Sequence, residues 1–210
     1  LASAQGEKTT TKITFSQPSF GGSLAIVQGE GQRVSSQGVN TTVHFRGESQ
    51  AAAQSWGEEA GKVMTLLSGY FGLAPAANLL FVETEDGAPN GYAAPGMLFL
   101  STRTIGKEAN VKLLANQMTR YWYGQLMSAA SRNHLWITNG MARYAELLYT
   151  EETAGSAALE SEVRDTYVEA LTVENPPLIQ SARFEDYSPE CWATTAGTGA
   201  EVYQMLRSVL

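Results

Sequence analysis

The stretch from Leu113 to Tyr149, LLANQMTRYWYGQLMSAASRNHLWITNGMARYAELLY, constrains this chain more than any other. Leu114, Met118, Trp122 and Leu126 recur every four residues with Leu113 beside the first, a helical spacing that predicts a helix with one apolar face over 108–127. Gly124 and the polar run 128–133 loosen and end that pattern. Met141, Tyr144, Ala145 and Leu148 then step by three and four again, predicting a second helix over 139–150, with Asn139 and Gly140 at its start.

These residues carry a resemblance. Ala115, Trp122, Tyr123 and Gly124, then Leu135, Trp136, Ile137, Gly140, Ala142 and Tyr144, are similar to the framework of the M1 family of zinc aminopeptidases (gluzincins). That family places His-Glu-x-x-His on one helix and a third ligand, Glu, after eighteen further residues. Residues 121 to 138 give the same spacing here. The resemblance puts Asn116 at the first His, Gln117 at the catalytic Glu, Arg120 at the second His and Asn139 at the ligand Glu.

Chemistry distinguishes these four residues from the family's. Zinc takes imidazole nitrogens and carboxylate oxygens at about 2.0–2.2 Å and, in catalytic sites, keeps one position open for water. Asn amides are poor zinc ligands, and Arg is a fixed cation with no lone pair to give. Gln117 cannot take a proton from water. The resemblance also implies an amine-anchoring Glu in the stretch GYAAPGMLFLS, yet no acidic residue lies between Gly91 and Thr102. It implies an oxyanion-stabilising Tyr where Ala196 stands. The expectation is therefore a domain with no cofactor, its zinc lost, and with Asn116, Gln117, Arg120, Asn139 and Ala196 as the altered positions.

The fold class implied is α+β, a thermolysin-like (zincin) catalytic domain with a small mixed β-sheet followed by a mostly helical half. Residues 1–18 read as a polar lead-in or linker. Residues 19–210 read as the peptidase-like domain, sheet-rich with one long helix over 19–101 and helical over 102–210, excised from a longer protein. Within it, Ser23–Val27, Gln32–Ser35 and Thr41–Arg46 are predicted strands. Ser49 is the predicted N-cap of a helix burying Trp56, Ala60, Val63 and Leu67. A strand over Asn78–Glu83 follows, with Glu83 expected at a solvated end, then an edge strand over Met97–Ser101. A third helix over Ala157–Leu171, an extended segment over 176–192 and a last helix over Gly199–Leu210 complete the reading.

With Lys+Arg 14 against Asp+Glu 21, the net charge is −7, which disfavours nucleic acid as a partner. No run of about eighteen apolar residues is present to insert in a membrane. The single Cys191 excludes an intrachain disulfide and reads as a small buried hydrophobe. The habit of relatives and a composition low in Lys imply an extracytoplasmic location, periplasmic or cell-surface.

Among the additions, Arg120 and Arg143 are candidate binding residues, and Tyr121 and Tyr123 are candidates for lining a peptide groove. Arg120 either fills the electrostatic void of zinc or snorkels to solvent. Two function classes stand. One is a non-catalytic pseudo-peptidase serving as a peptide- or protein-binding or structural module. The other is a metallopeptidase-related hydrolase with relocated catalytic residues. Against the second, the chain holds two His, one Cys and no Ser in a nucleophile-elbow context.

Overall fold

The computed structural model describes residues 2–5, 8–12, 22–86, 89–173, 176–186 and 188–210. In the lead-in, β1 (Ala2–Gln5) pairs antiparallel with β2 (Lys8–Thr11) as a separate two-stranded sheet. The main sheet comprises β3 (Gln32–Ser36), β4 (Val39–His44), β5 (Asn78–Thr84), β6 (Gly91–Ala94) and β7 (Met97–Ser101). Its order is β3-β4-β5-β7-β6, with parallel pairing at β4–β5 and β5–β7 and antiparallel pairing at both margins. The mixed sheet and the helical second half are those of an α+β fold.

Alternation decides which face of β4 is inside: Val39, Thr41 and Val43 are buried while Asn40 and Thr42 are not. α1 (Ala53–Phe71) covers that face with Trp56, Ala60, Val63 and Leu67, all 0 % exposed. The helix can lie so close because Gly57 and Gly61 face β3. A Cβ at Gly57 would meet Val34 Cβ at 2.4 Å, and one at Gly61 would meet the Ser36 carbonyl oxygen at 2.4 Å.

Three sequence expectations about this half are corrected. Residues 23–27 form no strand; Leu24 and Ile26 are 73 % and 93 % exposed, and an apolar run with no partner strand gains nothing by extending. Ser49 does not cap α1. Gly47–Ala52 form a 3₁₀ turn ahead of it, and the Ser49 hydroxyl instead donates to Glu83 Oε1 at 3.4 Å. Glu83 is not a solvated strand end. It is 7 % exposed and also accepts from Arg46 N–H at 2.6 Å and Thr102 Oγ1 at 2.7 Å, fixing the chain at the mouths of β4 and β7.

The helical half contains α2 (Val111–Thr119), α3 (Leu135–Ala154), α4 (Ser156–Leu171), the short α5 (Pro189–Trp192) and α6 (Gly199–Val209). Asn110 caps α2, its side chain accepting from Leu113 N–H at 3.0 Å. α2 stops at Thr119, short of the expected 127. Gly124 has φ +156°, and Gln125 and Met127 N–H donate back to the carbonyls of Arg120 and Trp122, so the chain coils on itself. Trp122 stays buried because its indole N–H donates to the Leu73 carbonyl at 3.2 Å and its ring meets Phe71 edge-on; Leu126, at the same helical spacing, is 63 % exposed.

α3 starts at Leu135, a turn earlier than expected, which places Asn139 and Gly140 inside it. The segment 176–192 is not extended: Leu178–Arg183 is a 3₁₀ turn and Pro189 opens α5 with Ser188 as its N-cap. Ala193–Thr198 then forms a π-helical turn that runs straight into α6. α3 and α6 cross at Gly140 and Gly199, where a Cβ on Gly140 would sit 2.6 Å from the Gly199 carbonyl carbon.

Candidate functional site

α2 and α3 lie side by side, and the π turn closes against α3. The 3.6-residue repeat puts Asn116 and Arg120 on one face of the α2 end, one turn apart. Asn139 and Glu146, two turns apart, share the facing side of α3. The side chains between the helices are polar yet enclosed: Asn116 is 3 %, Gln117 7 % and Glu146 9 % exposed.

They are joined in two strings of hydrogen bonds. In the first, Gln117 Nε2 donates to Asn116 Oδ1 at 3.1 Å, and Asn116 Nδ2 donates to Glu146 Oε1 at 2.6 Å. The other oxygen of Glu146 accepts from Arg143 Nη1. Arg143 Nη2 reaches on to α4, donating to Thr166 Oγ1 at 3.1 Å and pairing with Glu162 at 3.5 Å. In the second, Arg120 Nη1 donates to Asn139 Oδ1 at 3.0 Å, Asn139 Nδ2 to Thr195 Oγ1 at 3.1 Å, and Thr195 Oγ1 to the Cys191 carbonyl at 2.7 Å.

Burial pushes the Glu146 carboxyl above its ordinary value near 4.5, against the opposing pull of Arg143 and the Asn116 amide. Burial also pushes the Tyr121 hydroxyl upward. Tyr121 is 1 % exposed and lines no groove, which corrects that expectation. Tyr123 is half-buried, its ring edge-on to Phe71 at 5.3 Å. Arg120 does not simply snorkel to solvent: its guanidinium turns to Asn139. Arg143 is engaged by two carboxylates and a hydroxyl. Ala196 is buried in the π turn, and the neighbouring Thr195 is what reaches the site. Gln117 stands beside β6, where a Cβ on Gly91 would come within 2.9 Å of its Cγ.

Sequence reasoning missed Glu146 and Thr195. Glu146 had a signal, since it falls seven residues after Asn139 on a helix and so on the same face. Thr195 had none, because the π turn that aims it leaves no periodic trace.

The donor set does not fit zinc. Asn116, Arg120 and Asn139 offer two amides already hydrogen-bonded and one guanidinium. Among the described residues no three His, Cys, Asp or Glu side chains cluster so as to hold a metal ion. A carboxylate opposite Asn116 is nonetheless the outer partner that a ligating His habitually has. Glu146 thus stands where it would orient an imidazole at position 116.

No protein-family profile matches the chain. Human aminopeptidase N is 30 % identical over 130 residues, which is 57 % of this chain and 13 % of that protein. Mouse aminopeptidase N is 31 % identical over 121 residues, 52 % of this chain and 12 % of its own length. The chain therefore spans about one eighth of the curated relatives it matches. Among solved structures, an M1 zinc metallopeptidase from Deinococcus radiodurans superimposes with TM-score 0.60 at 18 % identity, covering 80 % of this chain and 36 % of that one. Native leukotriene A4 hydrolase from Saccharomyces cerevisiae gives TM-score 0.65 at 14 % identity over 82 % of this chain and 29 % of the enzyme. The mixed sheet, the α2–α3 pair and these similarities converge: the chain carries an M1 aminopeptidase-like domain.

Proposed function

We propose that this domain is a pseudo-peptidase, a non-catalytic M1 aminopeptidase-like module that binds no zinc and serves as a peptide- or protein-binding or structural element. The observation that carries this reading is the hydrogen bond from Arg120 to Asn139. It joins two positions at which the resemblance places zinc ligands, and a guanidinium held there supports exclusion of a divalent cation. Two cations at about 4 Å repel by several kcal/mol even at an intermediate dielectric. Gln117, beside Asn116, has no basic oxygen to activate water.

The side chains of the site act on one another. Their bonds tie α2 to α3, α4 and the π turn, and this supports a role in holding the helices in register. The partner is a peptide or protein, not nucleic acid, in keeping with the acidic balance, and the setting is extracytoplasmic. Among the described residues no helix is long and apolar enough to cross a membrane.

Elemental analysis after dialysis tests the reading. Purified protein holds less than about a tenth of an equivalent of zinc, the level of surface contamination. A stoichiometric ion that survives a weak chelator overturns it. The triple variant Asn116→His, Arg120→His, Asn139→Glu supplies the missing donors, with Glu146 in place behind position 116. It takes up zinc with micromolar affinity, weakened about 10–100-fold where other outer partners are absent. A folded triple variant that binds no more zinc than the parent shows that the three positions do not converge on a metal.

A further inference from the structure

Two asparagines of this chain are followed by glycine, Asn90 by Gly91 and Asn139 by Gly140. In such a pair the backbone nitrogen of the glycine can reach the side-chain carbonyl carbon of the asparagine and close a five-membered ring. A side chain on the second residue crowds that ring, and glycine has none. The other asparagines precede Thr, Leu, Val, Gln, His or Pro. The fold then separates the two pairs. Asn139 lies inside α3, where the helix commits Gly140 N–H to the carbonyl four residues back. Its side chain is held at both ends, by Arg120 and Thr195, and Gly140 is buried.

Asn90 is exposed, at the bend that leads into β6. β6 is the margin of the main sheet, with no strand on its outer side among the described residues. Gly91 stands opposite Leu100, and Ser101 N–H donates to the Asn90 carbonyl at 3.2 Å. That bond makes Gly91 and Leu100 a pair that exchanges no ladder bonds, so Gly91 N–H points away from β7. On the other side of the reaction, Arg103 Nε donates to Asn90 Oδ1 at 3.0 Å. Oδ1 is the atom on which negative charge gathers when Cγ is attacked, and a donor already aimed at it favours the addition. The packing demands glycine here, since a Cβ on Gly91 would come 2.9 Å from Gln117 Cγ and 3.3 Å from Leu113 Cδ1.

We infer that Asn90 is a modification site at which the folded protein deamidates spontaneously, gaining a charge at the head of β6 and, in the isoaspartyl product, losing the first register pair with β7. Gly91 N attacks Asn90 Cγ and releases its proton to solvent; the Cγ–Nδ2 bond breaks and ammonia leaves. Water then opens the succinimide at one of its two carbonyls. Opening at Cγ gives aspartate, and opening at the main-chain carbonyl gives isoaspartate, in which the chain runs through the former side chain. The balance is one water consumed, one ammonia released and one negative charge gained. In aspartate the new carboxylate takes the bond from Arg103. In isoaspartate the carbonyl that accepts from Ser101 N–H and Thr104 Oγ1 becomes a free carboxylate, and the chain gains a backbone atom ahead of Gly91.

The test is ageing of the folded domain in mildly alkaline buffer, with peptide mapping by mass spectrometry to follow amide becoming acid at both sites. Asn90 is expected to convert at least about tenfold faster than Asn139, and a smaller ratio overturns the inference. Unfolding in urea is expected to bring the two rates within about threefold. A wider gap there resides in the local sequence and overturns the structural reading. Asn90→Gln, whose ring would need six atoms, is expected to stop the appearance of the more acidic species on ion exchange; its persistence places the reaction elsewhere. In the isoaspartyl fraction, amide exchange at Ser101 is expected to be at least about tenfold faster than in fresh protein. Equal exchange means that the ladder absorbs the extra atom, which overturns the loss of register. None of these readouts involves metal, so failure here leaves the zinc result untouched.

Discussion

Two buried regions of this domain are built on opposite principles. Between α1 and the sheet the interior is apolar: Trp56, Val63, Leu67, Phe81, Leu98 and Leu100 are all 0 % exposed. Between α2 and α3 it holds a buried polar set, with Asn116, Gln117 and Glu146 enclosed and hydrogen-bonded together. The first region is held by area removed from water and by shape, so a change of volume there is costly. The second is held by directional bonds between particular partners, and such a set can be exchanged for another that closes as fully. That difference lets an M1 peptidase-like fold keep its apolar packing whatever polar set closes the seam between α2 and α3.

Apolar truncation gives the largest effect. Trp56→Ala removes a fully buried indole, its edge-on contact with Phe45 at 5.8 Å and its bond to the Gly106 carbonyl. It is expected to cost about 4 kcal/mol, read from the urea midpoint. A loss under half of that would mean that the α1 face collapses to fill the space. Next comes Gly140→Ala, where the new methyl meets Gly199 backbone that cannot rotate away. About 2–3 kcal/mol is expected, together with altered amide shifts along α6.

At the polar seam, Asn116→Ala deletes the donor to Glu146 and the acceptor from Gln117. A loss of about 2 kcal/mol is expected, smaller than for Trp56→Ala because Arg143 still holds the carboxylate. Losing less than about 0.5 kcal/mol at this site would mean that water takes over the vacated bonds.

The apolar region was open to sequence reading and the polar one was not, for a physical reason. Trp56, Ala60, Val63 and Leu67 repeat with the helix period, and period is what a sequence displays. Asn116, Gln117, Arg120 and Asn139 were found through family spacing alone; nothing in their pattern says that Arg120 bends toward Asn139. Trp122 and Leu126 kept the helical period while the backbone left the helix at Thr119, because Gly124 permits a conformation no period records. Glu83 looked like the solvated end of a strand, although its burial depends on Arg46, Ser49 and Thr102 arriving from elsewhere. Partners distant in sequence decide polar burial, and they are invisible one segment at a time.

The smallest effect sharpens the comparison most, because its sign depends on pH. Glu146 is an ionisable group that burial pushes above 4.5, although Arg143 and Asn116 favour its charge. Its folded value therefore exceeds its unfolded one. Between the two values the folded chain binds more protons than the unfolded chain, so this group's contribution to stability falls as pH rises. The contribution is fully present below pH 4.5 and is lost as pH climbs through the raised folded value. Glu146→Gln keeps the shape and an acceptor for Asn116 but cannot ionise. Removing one member of a buried ion pair is strongly destabilising when it leaves the remaining charge uncompensated, a cost that falls where that charge keeps another partner. Arg143 keeps Glu162 and Thr166. The variant is expected to lie within about 1 kcal/mol of the parent at pH 4.5, and to gain on it as the pH is raised to 7. Urea unfolding of both proteins at the two pH values measures the change. If Glu146→Gln instead falls behind as pH rises, the pairing with Arg143 outweighs desolvation, and the seam would be an ion-pair core instead of a hydrogen-bonded one that tolerates a charge.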